Sequence, residues 1–199
     1  MIKGNRLYDL YCTARCHFLL RLWIRGLYTP PDRKILERIF IPNLANDVTC
    51  ERVLFVGTAT YCNYEYAFKQ KEFVTIDPDP VATNGGGARH IIDKLANLGL
   101  YYPEDYFDLI ILSGVLGWGL NEAAEIEASL MVCFRHLRPG GRMLIGLNET
   151  GAPAPVCLNA IEALTRFKPT NLPTMSVSRM DFAHPFDRDF TYAMFKRPE

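Results

Sequence analysis

The stretch VLFVGTATYCN, from Val53 to Asn63, decides the fold of this chain. Its apolar start, VLFV, lacks alternation, which is typical of a parallel strand covered on both faces. Gly57 ends the run, and the small residues Thr58 and Ala59 let a ligand approach the main chain. The segment from Asn63 to Lys69 is predicted to be a helix whose free N–H groups face that ligand. A nucleotide-like ligand is one interpretation of this loop, and an ordinary tight turn is the other.

A second apolar run, FVTIDPDP, carries an acidic residue where it ends. Asp77 follows Gly57 by twenty residues, the spacing at which an acidic side chain reaches the ribose hydroxyl groups of a bound nucleotide. A carboxylate accepts from both hydroxyl groups, which neutral side chains do poorly. The alternative role is that of a turn former ahead of Pro78. We expect the ligand role.

Length and composition favour one domain with a terminal addition. The chain has 199 residues, of which 49% are hydrophobic, enough to bury a full core. It has no run of about eighteen uncharged apolar residues and no cleavable signal pattern, so we expect a cytoplasmic protein without stable membrane insertion. Its formal net charge is zero, and we expect no nucleic-acid partner. The cysteines lack metal-ligand spacing, and we expect no metal site.

The N-terminal part of the chain is predicted to form two helices. Apolar residues at helical spacing indicate the first, over residues 5–27. We interpret it as a cover for the core or a lid over a pocket, with a membrane-surface helix as the alternative. TPPD, from Thr29 to Asp32, starts the second helix, which Pro42 is expected to end. We therefore divide the chain into a helical cap or lid, residues 1–49, and a sheet domain, residues 50–199.

Strand and helix patterns alternate through the rest of the chain. They are, in order, strands in HIIDKL and FDLIILSG, a helix from Glu122 to Leu137, a strand in RMLIGLN, a helix from Val156 to Phe167, and strands from Thr174 to Phe182 and Phe190 to Lys196. RPGG is expected to cap the helix before RMLIGLN. This alternation predicts an α/β fold with a doubly wound sheet of seven mostly parallel strands. The last two strands are too close for a parallel crossover, so we expect an antiparallel C-terminal strand.

The order of these motifs resembles the class I S-adenosylmethionine-dependent methyltransferases, a family with a Rossmann-like sheet. The resemblance covers about Cys50 to Arg197 and rests on LFVGTAT, TIDPDP, HIIDKL, FDLIILSGVLGWG, LRPGGRMLIG and FTYAMFKR. The first motif is degenerate. Phe55 stands where the family has an acidic residue, and Ala59 and Tyr61 stand where it has further glycines.

The resemblance implies S-adenosylmethionine as the cofactor and a set of positions that would bind it. These positions are Gly57, Thr58, Ala59, Tyr61, Asp77, Pro78, Asp93, Lys94, Ser113 and Gly114. Asp93, the aspartate that the family places near the adenine, has a surface cap as its equal alternative. Trp118 and Asn148 come at strand ends and are candidates for an acceptor pocket, with Tyr11 in the lid above it.

Methyl transfer from a sulfonium is an in-line displacement, so alignment and desolvation carry most of the rate. Glu149 and His184 are candidate bases for an acceptor that must lose a proton. The chain lacks the Asn-Pro-Pro-Tyr motif of amide or adenine N-methylation, so we predict O-, N- or S-methylation of a small molecule by a monomer or homodimer. Two rivals are a nicotinamide dehydrogenase on the same sheet and a non-catalytic methyltransferase-like module that binds a partner through its basic N-terminal helices.

Overall fold

Eight strands form one mixed sheet in the computed structural model of the chain. The structure describes Phe18 and residues 29–59, 62, 64–150, 156–184 and 188–199, except for the side chains at positions 84, 183, 184 and 188. The helix predicted over residues 5–27 therefore lies outside the described residues, apart from Phe18. The strands are β1 Arg52–Val56, β2 Glu72–Ile76, β3 Arg89–Ile91, β4 Phe107–Ser113, β5 Leu137–Asn148, β6 Lys168–Pro169, β7 Arg179–His184 and β8 Arg188–Lys196.

The predicted topology is confirmed, with one strand more than expected. The spatial order is β3-β2-β1-β4-β5-β8-β6, with β7 also paired to β8. The strands from β3 to β5 are parallel, and β8 runs antiparallel to β5. Both β6 and β7 pair with β8 on its outer edge, and the two-residue β6 makes the eighth strand. The first part of the predicted strand from Thr174 to Phe182 is a turn, in which Thr174 has a φ of 62°.

The central strand β1 is buried on both of its faces, which explains its unbroken apolar run. Leu54 and Val56 belong to the core that includes residues of α3 (Ala123–His136). Val53 and Phe55 face the other way, into the core beneath the helical segment 31–46. The sheet is thus the middle layer between helices, as a doubly wound fold requires.

The helical segment that follows TPPD does not end at Pro42. Its first part, α1 (Pro31–Ile35), continues through a π-helical turn (Leu36–Phe40) into α2 (Ile41–Asn46), and Pro42 lies in the first turn of α2. The expectation that Pro42 ends the helix was wrong. The π-helical turn already interrupts the regular backbone hydrogen bonds of the α-helix just before Pro42, so the proline has no such bond to break there. The segment is buried against the sheet through Leu36, Phe40, Ile41 and Leu44.

The helix predicted from Asn63 to Lys69 was also wrong, because residues 65–70 form turns. Tyr64 and Phe68 are both buried, and Phe68 stacks on Phe73 with ring centroids 5.0 Å apart. A segment this short gains more from that packing than from an isolated helical turn. The described residues that follow the loop after β1 (residues 57–59, the β1 loop) therefore form turns rather than the start of a helix.

The helix predicted from Val156 to Phe167 is replaced by two 3₁₀ helices, Leu158–Ala160 and Glu162–Arg166, with an extended Ile161 between them. The carboxylate of Glu127 on α3 accepts from the N–H groups of Glu162 and Ala163, each at 2.7 Å, and fixes the second 3₁₀ helix. None of the helices in the described part of the chain has the length and apolar character needed to cross a bilayer.

RPGG lies inside β5 rather than capping α3. Phe107 of β4 pairs with Leu137 of β5, and the next pair is Leu109 with Arg142. Residues 138–141 therefore form a bulge, in which Gly140 has a φ of 75°. Beyond the bulge, β5 runs in register with β4 as far as the pair Ser113–Gly146. The bulge therefore sets which residues of β5 reach its carboxyl end.

Candidate functional site

A cavity of about 1130 Å³ opens at the carboxyl ends of the parallel strands. Ligands of open α/β sheets bind at this edge, and the volume is slightly above the range usual for one small molecule. Strands far apart in sequence bring ten of the predicted positions into its lining: Gly57, Thr58, Ala59, Asp77, Pro78, Lys94, Ser113, Gly114, Trp118 and Asn148.

Asp77 is held at the end of β2 by two main-chain N–H groups. Thr58 N donates to Asp77 Oδ2 at 2.9 Å, and Asp79 N donates to Oδ1 at 2.8 Å. The first of these bonds joins the β1 loop to the end of β2, so the glycine turn and the acidic residue act as one unit. Each carboxylate oxygen has further acceptor capacity, which allows Asp77 to accept from the hydroxyl groups of a ligand.

The 3₁₀ helix Pro80–Gly85 supports the β1 loop from behind. Thr58 Oγ1 donates to Ala82 O at 3.0 Å. A Cβ added at Gly85 would lie 1.7 Å from Ala59 O, so only glycine fits at this contact. Gly85 therefore fixes the position of the β1 loop.

Gly114 leaves space in the cavity next to the end of β4. It has a φ of 73°, and a Cβ added there would meet nothing within 4 Å. Its N–H donates to Gly146 O at 2.8 Å, which ties the loop to β5. A bound group is thus able to lie directly against the main chain at Gly114.

Tyr192 of β8 lines the cavity from the antiparallel side of the sheet. It is the cross-strand partner of Gly146, and a Cβ on Gly146 would lie 2.5 Å from Tyr192 Cε1. The glycine lets the ring lie across β5, where the Tyr192 hydroxyl group donates to Asp32 O at 3.3 Å. Burial first, and then the charge of Asp32, raise the pKa of Tyr192, so its hydroxyl group keeps its proton at neutral pH.

Trp118 and Asn148 are joined by a hydrogen bond at the edge of the cavity. Trp118 is 43% exposed and lies in the tight loop after β4, where Gly117 has a φ of 82°. Its Nε1 donates to Asn148 Oδ1 at 3.0 Å. Asn148, the last residue of β5, is only 7% exposed. The loop thus positions the amide of a nearly buried asparagine.

A cationic side chain from α1 reaches the same cavity. Arg33 Nε donates to Glu37 Oε1 at 2.8 Å, and Arg33 Nη2 donates to Tyr64 OH at 2.8 Å and to Cys62 Sγ at 3.6 Å. Burial alone would lower the pKa of Arg33, but Tyr64, Cys62 and Glu37 together raise it above its ordinary value. Arg33 is therefore positively charged and links α1 to the segment after the β1 loop.

Asp93 does not line the cavity. Its Oδ1 accepts from Lys94 N and Asn97 Nδ2, each at 2.7 Å, and its Oδ2 accepts from Tyr101 OH at 3.0 Å. The bond from Asn97 first, then that from Lys94, lowers the pKa of Asp93. The carboxylate is thus bound by residues at the start and end of the segment that contains the 3₁₀ helix Leu95–Leu100.

Glu149 also lies outside the lining, although its neighbour Asn148 belongs to it. Glu149 Oε2 accepts from Arg179 Nη2 at 2.8 Å, and Oε1 accepts from Leu158 N at 3.1 Å. Of the other predicted site residues, Tyr11 and Tyr61 are outside the described residues. His184 is placed in β7, without a described side chain.

Several residues of the lining were not predicted from the sequence. The charged and aromatic ones are Asp32, Arg33, Asp79, Glu125, Phe190 and Tyr192. Together with Asp77 and Lys94 they give the described lining four carboxylates against two cations. Phe190 is the cross-strand partner of Asn148, a relation that only the register of β5 with β8 reveals.

Comparison with known proteins gives the same fold. No protein-family model and no curated protein matches the chain. Among solved structures, the N-methyltransferase NodS from Bradyrhizobium japonicum WM9, in complex with S-adenosylhomocysteine, is 17% identical, with a TM-score of 0.67 over 87% of this chain and 91% of that one. The 1,6-didemethyltoxoflavin-N1-methyltransferase of Burkholderia thailandensis is 14% identical, with a TM-score of 0.56 over 96% and 90%. The [4+2]-cyclase SpnF is 13% identical, with a TM-score of 0.61 over 83% and 82%.

The chain therefore has the Rossmann-like fold of the class I S-adenosylmethionine-dependent methyltransferases, as its motifs predicted. The presence of a cyclase among these structures means that activity has to be argued from the site.

Proposed function

We propose that this protein is an S-adenosylmethionine-dependent methyltransferase that acts on a small molecule. The observation that carries the proposal is the position of Asp77. Its carboxylate is bound by Thr58 N beside the Gly57 turn, and it faces a cavity large enough for a cofactor and an acceptor together. The proposal rests on this geometry, with the shared fold as its background.

The residues of the cavity fit S-adenosylmethionine. Asp77 would accept from the ribose hydroxyl groups, and Pro78 and Lys94 would flank the adenine end. Gly57 and Gly114 would let the rest of the molecule approach the main chain. The excess of carboxylates in the lining suits a ligand that carries a sulfonium and an ammonium group.

When bound, S-adenosylmethionine supplies an activated methyl group: the bond from methyl carbon to sulfur breaks, its electron pair stays on sulfur, and a lone pair of the acceptor forms the new bond. The chain contributes alignment and exclusion of water. Asn148 and Tyr192, 7% and 1% exposed, would lie beside the acceptor at one end of the cavity. Because Glu149 is bound to Arg179 outside the lining, the proposal relies on alignment rather than on this carboxylate as a base.

A small-molecule acceptor fits the space that the cavity provides. The volume of about 1130 Å³ leaves room beside a nucleoside-sized ligand for a second compact molecule. The toxoflavin methyltransferase was crystallised with 1,6-didemethyltoxoflavin and S-adenosylhomocysteine, so this fold accommodates such a pair in that protein.

A nicotinamide dehydrogenase fits the site less well. The diphosphate of a dinucleotide binds at the N-terminus of the helix that follows the first strand. Here residues 65–70, after the β1 loop, form turns. Four carboxylates in the described lining would also repel a diphosphate.

Calorimetric titration with S-adenosylhomocysteine and, separately, with NAD⁺ tests the proposal. We expect S-adenosylhomocysteine to bind at one site and NAD⁺ not to bind. Binding of NAD⁺ alone would favour the dehydrogenase. Failure of both ligands to bind would favour the non-catalytic module that the degenerate first motif, with Phe55, had suggested.

A further inference from the structure

The amide of Asn148 has one orientation. An indole N–H is only a donor, so the Asn148 atom that lies 3.0 Å from Trp118 Nε1 must be the oxygen. The other branch of the amide is then Nδ2, which carries two N–H donors. No described residue accepts a hydrogen bond from this nitrogen, and Asn148 lines the cavity. The amide therefore offers donors to whatever lies beside it.

Only 7% of Asn148 is exposed, and its Nδ2 keeps access to the open cavity. The oxygen of this amide is bound by Trp118, so Nδ2 is the group left to donate to a ligand in that cavity. A ligand atom with a lone pair is the partner that the cavity is able to supply.

The residues shown to adjoin this amide are aromatic. Phe190 lies directly opposite Asn148 in the β5–β8 pair and lines the same cavity, and Trp118 binds the amide oxygen. Arg33 and its neighbour Asp32 also belong to the lining, with opposite charges. The end of the cavity at Asn148 thus combines an aromatic wall with a pair of N–H donors.

We propose that the methyl acceptor is a compact apolar molecule that presents a carbonyl or carboxylate oxygen to Asn148 Nδ2. Trp118 acts as a positioning residue, because its N–H holds the amide with the donors towards the cavity. The inference rests on the proposed function, because that function is what makes this end of the cavity the acceptor site. The recognition chemistry itself rests only on Asn148 and its neighbours.

Fluorine-observed NMR with three matched fragments tests the inference. The probes are para-fluorobenzoate, para-fluorobenzamide and para-fluorobenzylamine, which differ only in the group that the ring carries. With S-adenosylhomocysteine present, we expect benzoate or benzamide to broaden on adding protein, and the benzylammonium ion to stay sharp. Preference for benzoate over benzamide would indicate that the acceptor presents an anionic oxygen, and preference for benzamide would indicate a neutral carbonyl oxygen. Equal or stronger binding of the benzylammonium ion, or no binding of any probe, would overturn the inference.

Substitutions at Asn148 assign the preference to this side chain. Asn148→Asp exchanges donors for acceptors, so we expect benzoate binding to weaken by about tenfold and benzylammonium binding to appear. Asn148→Leu, in which the new side chain has a similar volume, should no longer bind the benzoate and benzamide probes and should not bind the benzylammonium ion either. Asn121→Asp is the control, because it adds the same charge at an exposed position three residues after Trp118 and outside the lining. Unchanged selectivity in both Asn148 variants would refute the assignment.

Trp118→Phe separates positioning from packing. It keeps a ring in the loop but removes the N–H, so the Asn148 amide is free to turn either face to the cavity. We expect discrimination between the benzoate and benzylammonium probes to fall by about fivefold, with the melting temperature nearly unchanged. Full discrimination in this variant would remove Trp118 from the proposal.

The fragments are also titrated without S-adenosylhomocysteine. A protein that prefers the oxygen-bearing probes but does not bind S-adenosylhomocysteine would overturn the proposed function and leave the Asn148 inference standing. A protein that binds S-adenosylhomocysteine but does not prefer the oxygen-bearing probes would support the proposed function and overturn the Asn148 inference.

Discussion

The two sides of the cavity are built by different means. On the side formed by the ends of β1 and β2, which we propose as the cofactor side, main-chain N–H groups bind Asp77 and a glycine contact fixes the loop. On the side formed by the ends of β5 and β8 and by Trp118 of the loop after β4, which we propose as the acceptor side, side chains distant in sequence bind one another, as Trp118 binds Asn148. The first arrangement depends on local turns, and the second depends on strand register.

This difference predicts how each side responds to substitution. A backbone-built site is rigid and tolerates no added atom where main chains touch. A side-chain-built site changes its selectivity when one member is replaced, while the fold around it persists. The cofactor side is thus expected to lose binding when it is altered, and the acceptor side to change what it binds.

Gly85→Ala should have the largest effect, because the added methyl group meets the Ala59 carbonyl oxygen, which belongs to the main chain. We expect the free energy of unfolding to fall by up to about 3 kcal/mol and S-adenosylhomocysteine to bind at least about tenfold more weakly. Urea unfolding and calorimetry measure the two effects. Gly99→Ala is the matched control, since its Cβ would lie at an ordinary 3.6 Å from His136 Nε2. Parent-like binding by Gly85→Ala would show that the loop adjusts.

Gly146→Ala should have a smaller effect on stability and little on the cofactor. The added Cβ meets the ring of Tyr192 at 2.5 Å, and a side chain is able to shift where main chain is not. We expect a loss of about 1–2 kcal/mol in the free energy of unfolding, with S-adenosylhomocysteine affinity within about twofold of the parent. Combined with Tyr192→Leu, the two losses should be less than additive, because the clash is gone. Strict additivity would mean that the ring does not cross β5 as described.

Asp47 lies at the opposite edge of the sheet and belongs to neither side, so its substitution should alter stability alone. Although burial raises it, hydrogen bonds from Thr49 and the ion pair with Arg142 lower the pKa of Asp47 to about 2. The ordinary value is about 3.9, so the stabilisation is present above that pH and is lost as the pH falls towards 2.

Asp47→Asn should therefore lower the free energy of unfolding by less than about 1 kcal/mol at neutral pH. Thermal unfolding of parent and variant from neutral pH downwards should show the difference shrinking once the pH falls below about 4. Arg142→Met, which removes the partner, should show the same trend. A difference that grows in acid, or a change in S-adenosylhomocysteine affinity, would contradict this assignment.

The cofactor side was largely predictable from the sequence because its signals are local. An apolar run, a glycine and an acidic residue twenty positions later place Gly57 and Asp77 at neighbouring strand ends, and the structure joins them through Thr58 N. The same reasoning did not distinguish a ligand role from a cap for Asp93. In the structure the carboxylate of Asp93 is bound by Lys94, Asn97 and Tyr101 and lies outside the cavity lining.

The acceptor side was less predictable because it depends on contacts between distant residues. Asn148 and Trp118 were expected at this edge, but their hydrogen bond spans thirty residues and leaves no mark in either motif. Tyr192 was missed, since its place depends on the antiparallel register of β5 with β8, which pairs it with Gly146. Arg33 was missed because its place depends on its contacts with Cys62 and Tyr64, which lie 29 and 31 residues later in the chain.

The division of the cavity is tested most directly by titrating S-adenosylhomocysteine into the parent, Asp77→Ala and Asn148→Leu side by side in a calorimeter. Asp77→Ala should bind roughly 1.5–3 kcal/mol more weakly, the scale of a lost hydrogen bond to a charged group. Asn148→Leu should bind within about twofold of the parent, because its amide serves the acceptor. Equal losses in the two variants would show that the two sides are not separate, and a loss confined to Asn148→Leu would show that Asp77 does not hold the cofactor.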